Sequence, residues 1–261
     1  MKPGLKNIVS LKRYPICDSG FIKKCHDQLV DTGSLLLPEF IRSEAIEILK
    51  REAIEHSHLA FYCSQTHTAY LSAPDPEFDA SHSRNRQVVS NKGCITDDQI
   101  PEDSYLRTIY NHPDFRGFLC QVLDEDTLYD YADPLSSVNV HYYQEDQELG
   151  WHFDNSSFAV TLMIQRPDSG GEFEYIPALR DCATGNMNYP GVGKALDGEL
   201  DGIRLGIDAG TLALFRGTNS LHRVTPVEGP TNRIQVVLAY NTEPGVALTE
   251  EARRTFYGRT E

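Results

Sequence analysis

Apolar and polar positions along the chain change period about halfway. In the first half the repeat is helical. Gly20 to Leu29 reads as a short helix stopped near Thr32-Gly33, and Ser34-Leu35-Leu36-Leu37-Pro38 reads as a strand that the proline ends. From Ser43 to Ile54 apolar residues fall at 45, 46, 49 and 53, which predicts an amphipathic helix with Ser43 as its N-cap and Ile46 and Leu49 as packing residues. Two more helices are predicted at Ser104 to Asn111 and at Pro113 to Leu123, the second with Pro in its first turn and Phe115, Phe118, Leu119 and Val122 on one face. Residues 1 to 18 show no clear period and read as a loosely attached lead-in. From His56 to Pro101 the chain is polar and irregular, and a stretch of that length is expected to be functional or mobile and to fold over the mouth of a site.

In the second half the repeat shortens to two. Ser137 to Tyr143 alternates, with Asn139, His141 and Tyr143 on one face and Val138, Val140 and Tyr142 on the other. Polar side chains need a polar surface to face, so the first set is pointed into the mouth of a barrel. Further strands are predicted at Phe158 to Gln165, Glu172 to Ile176, 211 to 215, 221 to 225 and 233 to 240. Many short strands with Gly, Pro and Asp turns predict a mainly β fold with flanking helices, a jelly-roll-like sandwich or barrel. Pro177 to Leu205 is rich in Gly, Asp and Asn, and is predicted to be a loop with a short helical piece and no part in a sheet.

Composition narrows this picture. A chain of 261 residues with 40% hydrophobic content can bury one substantial core, so a single domain is expected: 1–130 an N-terminal elaboration, 131–245 the β core, 246–261 a tail. A formal charge of −14 argues against a nucleic-acid partner, because that affinity comes from Lys and Arg on phosphates. Six scattered cysteines without a Cys-x-x-Cys pair, and opening residues without an apolar signal core, set the expectation of a reducing cytoplasm. No apolar run approaches the ~18 residues of a membrane span. The oligomeric state is left open.

The candidate chemistry lies in Trp151-His152-Phe153-Asp154-Asn155 and, far along the chain, in Leu221-His222-Arg223-Val224. Positions i and i+2 share a face of an extended segment, so His152 and Asp154 offer an imidazole and a carboxylate to the same point. His222 from another strand would complete two imidazoles and one carboxylate, a set that leaves coordination positions open and suits non-haem ferrous iron, with zinc the competing occupant. Eleven positions after His222, Arg233 offers a planar fork that matches a carboxylate.

Over residues 137 to 241 these pieces resemble the Fe(II)/2-oxoglutarate-dependent dioxygenase superfamily, with its His-x-Asp, distal His and basic residue on the next strand. The resemblance implies a double-stranded β-helix (jelly-roll, cupin-like) with N-terminal helices on its larger sheet, and Fe(II), 2-oxoglutarate and O2 as the reacting partners. It implies His152, Asp154 and His222 as iron ligands, and Arg233 as the clamp on the far carboxylate of 2-oxoglutarate. Tyr143 occupies a place where relatives hydrogen-bond 2-oxoglutarate. His141 stands where they carry Asn, either as a substitute donor or as a residue behind the contact. Leu35-Leu36-Leu37-Pro38-Glu39-Phe40, Trp151 to Ser156, Asn241 to Gly245 and Phe256 to Arg259 are similar to the free-amino-acid halogenases and their hydroxylating siblings. In those halogenases Gly or Ala replaces the carboxylate, so Asp154 implies hydroxylation. A zwitterionic small molecule is then the expected substrate, with Arg86, or Arg84 beside it, for its carboxylate and Asn155, Asp146 or Glu145 for its ammonium. Trp151 is expected in the core or the pocket wall. The other readings are a side-chain hydroxylase of the prolyl-hydroxylase type and a non-enzymatic cupin-like metal- or ligand-binding module.

Overall fold

In the computed structural model residues 4–261 are described. The helical half follows its pattern. α1 (Ser19–Thr32) begins where the Asp18 side chain accepts the Phe21 N–H, and it ends at Gly33, whose φ of 72° closes the helix in the left-handed region. After β1 (Ser34–Leu37) comes α2 (Ser43–His56). Its N-cap is Arg42 and makes no side-chain cap, so Ser43 is the first helical residue rather than the cap expected from its type.

The first correction concerns the polar stretch after α2. It contains a hairpin, β2 (Phe61–Thr68) and β3 (Gln87–Ile95), registered continuously from Phe61 opposite Cys94 to Thr68 opposite Gln87. Its alternation was hidden because the inward-facing residues of β2, Cys63, Gln65 and His67, line a cavity and are polar. α3 (Tyr105–Tyr110) and α4 (Pro113–Leu123) then lead to β4 (Val138–Tyr143), β5 (Leu149–His152), β6 (Ala159–Gln165), β7 (Ser169–Gly170) and β8 (Phe173–Ile176). The inserted segment forms α5 (Tyr189–Leu196), but its end, β9 (Ile203–Leu205), pairs with β8, which corrects the expectation that no part of it enters a sheet. β10 (Leu212–Phe215), β11 (Leu221–Val224), β12 (Val227–Glu228) and β13 (Arg233–Leu238) complete the strands. The tail carries a helix, α6 (Glu250–Tyr257), capped by Thr249.

Eleven strands form one antiparallel sheet in the order β1-β10-β6-β13-β4-β3-β5-β11-β8-β9, with β2 on the free side of β3, while β7 and β12 form a separate ribbon. The sheet curls because β3 serves both halves, with Cys94 opposite His141 of β4 and Ser90 opposite Leu149 of β5. This is the expected jelly-roll core. Its outer face, including Val138, Val140, Tyr142, Leu162, Val236 and Leu238, shares one core with the helices, where Leu29, Leu49, Phe115 and Leu119 are buried. Each such side chain contributes roughly 1.5–3 kcal/mol on burial. The lead-in joins this core too: Leu5, Ile8, Val9, Tyr14 and Ile16 are buried and Val9 bridges to Ile41, so from Gly4 onward it is packed rather than loose. Residues 1 to 3 lie outside the described part. No helix is long and apolar enough to cross a membrane, among the described residues.

Candidate active site

β5 and β11 are antiparallel neighbours, and their register sets His152 directly opposite His222. Asp154 follows two residues after His152, where its N–H donates to the Gly217 carbonyl at 3.1 Å. The His152 Nδ1 lies 2.8 Å from the Gly150 carbonyl, and the His222 Nδ1 lies 3.0 Å from the Ser220 carbonyl. A carbonyl can only accept, so both Nδ1 atoms carry a proton and both rings turn Nε2 towards Asp154. Those Nε2 atoms lie 3.7 Å and 3.4 Å from Asp154 Oδ1, and one ligand atom from each residue fits within a common span of 4.8 Å.

Electrostatics prepares the same point. Burial, with His222 close by, pushes His152 down to about 3, so its imidazole is neutral. Burial alone would raise Asp154, yet His222 and His152 hold it below its ordinary value and it is ionised. Its Oδ2 is buried with no hydrogen-bond partner. Gly217 leaves the carboxylate its room: a Cβ there would stand 2.6 Å from Asp154 Cγ and 2.8 Å from His222 Cε1. Two imidazoles turned by their backbone contacts, one carboxylate and an orphaned oxygen in a glycine-lined cradle fit a divalent ion with open coordination positions.

Arg233 opens β13 opposite Tyr143 of β4 and is completely buried. Its Nε donates to the Gly171 carbonyl at 3.0 Å and its Nη1 to Gln235 Oε1 at 2.5 Å, while Nη2 has no partner. The guanidinium lies 5.2 Å from the Tyr143 ring centroid. It occupies a small recess that shares Phe173, Leu205 and Ile207 with the larger cavity holding the triad. A buried cation with a free N–H is costly unless an anion joins it. The set therefore fits a carboxylate arriving beside a metal ion, as 2-oxoglutarate would, and this separates the iron reading from a simple zinc site. Gln235 was not foreseen from the sequence, although position i+2 from Arg233 on a strand places it on the same face.

The large cavity has a volume of about 830 Å³. His141 and Tyr143 line it as the alternation required, whereas Asn139 is buried beyond it and bonds the Leu135 and Val138 carbonyls and the Tyr257 hydroxyl. Asn155 lines it as expected. Trp151 is buried under the Arg223 guanidinium, 4.6 Å from it, and packs with Phe153 and Val192 outside the cavity lining. Glu145 and Asp146 are exposed and also outside that lining.

The two arginines expected to take a substrate carboxylate are placed elsewhere. Arg86 pairs with Asp197 at 2.7 Å and donates to the Leu196 carbonyl, so its charge ties the inserted segment to the loop after β2. Arg84 donates to the Ala73 carbonyl and lies over the Tyr70 ring. Neither lines the cavity. Distance along the sequence from an anchored segment could not foretell this, because Asp197 is more than a hundred residues away.

A family model described as HalD, halogenase D, matches residues 18–257. Among solved structures, the chain is similar to an oxidoreductase of the 2OG-Fe(II) oxygenase family from Burkholderia pseudomallei, with 16% identity over 88% of this chain and 94% of that one, and a TM-score of 0.55. It is similar to the epimerase SnoN in complex with Fe3+, alpha ketoglutarate and nogalamycin RO, with 11% identity over 89% and 97%, and a TM-score of 0.57. A Pseudomonas putida prolyl-4-hydroxylase follows at 12% identity over 83% and 96%, with a TM-score of 0.50. At these identities the likeness is one of fold. No curated protein matches the chain.

Proposed function

The chain belongs to the halogenase D family, and from that premise we propose that it is an Fe(II)/2-oxoglutarate-dependent hydroxylase of a small polar substrate, a free amino acid or a derivative of one. The observation that carries the reading is Asp154. In a halogenase-type site a carboxylate at this position would occupy the place that chloride needs, and here it is ionised, faces both imidazoles and has the space that Gly217 leaves.

His152, Asp154 and His222 would hold the iron, which when bound supplies the dioxygen chemistry that cleaves 2-oxoglutarate and oxidises a C–H bond. The residues do the rest. Gly150 and Ser220 carbonyls fix the two imidazoles in the tautomer that presents Nε2. Arg233, braced by Gln235 and Gly171, would take one carboxylate of 2-oxoglutarate on its free Nη2. Tyr143 borders that site. In the balanced reaction one oxygen atom of O2 ends in succinate, the other in the hydroxylated product, and carbon dioxide leaves.

A small substrate is favoured by the cavity wall, to which the loop after β2 contributes Leu71, Ser72, Ala73 and Pro74. Tyr70 donates to the Met187 carbonyl, Ser83 to the Tyr189 carbonyl, and Arg86 pairs with Asp197, so the loop after β2 and the inserted segment are joined over β5. The inserted segment packs on the Trp151 face of β5, away from His152, and so braces that loop rather than roofing the cavity; a braced wall supports a small-molecule cavity over the open groove that a peptidyl hydroxylase requires. The test is a screen of free amino acids with iron and 2-oxoglutarate in chloride buffer, followed by succinate release and product mass. A gain of one oxygen is expected. Chlorinated product would overturn the hydroxylase reading, and loss of two hydrogens would replace hydroxylation by desaturation.

A further inference from the structure

Displacing Arg84 and Arg86 from the cavity leaves the question of what would hold an anionic substrate. Among the Lys and Arg side chains of the described residues, Lys92 is the one that lines the cavity. It sits on β3 between two landmarks: Ser90, which pairs with the β5 strand that carries His152, and Cys94, which pairs with His141 of β4. Its Nζ lies 3.3 Å from His141 Nδ1. Burial pushes His141 well below its ordinary value, with Lys92 and Arg233 adding to that effect, so this imidazole is neutral and accepts a hydrogen bond from Lys92 without balancing its charge. Among the described residues no carboxylate pairs with Lys92.

Charge neutrality makes this cation informative. With the centre loaded, the two positive charges of ferrous iron and the one of Arg233 are matched by Asp154 and the two carboxylates of 2-oxoglutarate. Lys92 is then left over, inside a cavity where solvent screens poorly and where the remaining lining carboxylate, Glu251, is solvent-exposed and makes no ion pair with it. We infer that Lys92 is the substrate-binding residue that receives a substrate carboxylate, and that the substrate of this site is a carboxylic acid. This rests on the hydroxylase reading above and deepens it by naming the group recognised. His141 becomes a positioning residue, fixing the ammonium through its Nδ1.

The probes are free L-amino acids and their C-terminal amides, the same side chains with and without the carboxylate. Binding is measured by calorimetry without oxygen on protein loaded with Fe(II) and 2-oxoglutarate, alongside binding of 2-oxoglutarate by itself. Wild type is expected to prefer acid over amide by about 30- to 150-fold for its best side chain, the range of a charge-assisted contact. Lys92→Met should collapse that preference to within about fivefold while 2-oxoglutarate affinity stays within about twofold, and Lys92→Arg should keep most of it. An acid-to-amide ratio unchanged in Lys92→Met, or absent in wild type, would overturn the inference. A 2-oxoglutarate affinity that falls in Lys92→Met as it does in Arg233→Ala would overturn it too, by assigning Lys92 to the co-substrate. Failure of the hydroxylase reading shows separately, as wild-type protein that releases no succinate in the presence of iron and 2-oxoglutarate.

Discussion

Replacing Gly217 by Ala should disable the metal site while leaving the fold in place. The backbone at Gly217 is not in the left-handed region, so alanine is tolerated by the chain and the effect is one of space alone. The added methyl carbon would stand 2.6 Å from Asp154 Cγ, and closer still to Oδ2. Carbon atoms rest at about 3.5 Å, so the carboxyl carbon must move by about 0.9 Å. The Asp154 N–H is held by the Gly217 carbonyl, so the backbone cannot back away and the side chain must rotate off its position beside the imidazoles, while His222 Cε1, 2.8 Å from the same methyl, is crowded too. Overpacking of this kind costs about 1–3 kcal/mol, and a ligand shifted by nearly an ångström should lower iron affinity by about 10- to 100-fold. The assays are anaerobic iron titration, succinate release at saturating iron, and thermal melting of the metal-free protein. Removing the nearer obstacle should remove part of the cost: in an Asp154→Gly background, Gly217→Ala should destabilise clearly less than in wild type, the remainder coming from the methyl against His222 Cε1. Wild-type iron affinity and turnover in Gly217→Ala, or an equal melting penalty with and without Asp154, would refute the geometry of the cradle.

Arg233→Ala should weaken 2-oxoglutarate binding by about 30- to 150-fold, because a buried charge-assisted contact contributes about 2–3 kcal/mol; an unchanged dissociation constant would place the clamp elsewhere. Asp154→Gly should give little or no chlorinated product in chloride buffer, since halide placement depends on groups around the ligands as well as on the open position, and efficient chlorination would show a pocket already built for it. For pH, burial pushes the Cys94 thiol up to about 12 from an ordinary 9, so the unfolded chain loses that proton first. The contribution is present below pH 9 and is lost as pH rises towards about 12. Cys94→Ala should flatten that part of the alkaline melting curve, and a curve of the same shape would assign the loss to other groups. At neutral pH a thiol reagent should label the exposed Cys17 and Cys182 well before the buried Cys94 and Cys25.

Local pattern carried the helical half and most of the β core. The apolar stripes of α2 and α4 and the alternation of β4 are properties of neighbouring residues, and their buried faces are the ones those stripes define. The donors of the metal site were legible for the same reason: His152 and Asp154 share a face by spacing, and His222 and Arg233 open or occupy strands whose apolar runs announce them. The β2–β3 hairpin was illegible because the inward side of β2 faces a polar cavity and so reverses the rule that strands hide apolar residues. Lys92 and Gln235 drew no notice because a lone Lys or Gln in a strand has no local signature; the curl of the sheet turns Lys92 inward, and the partner is His141 on another strand. Arg86 shows the limit most clearly. Its chemistry suits a carboxylate, but a cation binds whichever anion the fold brings to it, and here the fold brings Asp197 across more than a hundred residues, so residue type set the candidates and long-range packing set the partner.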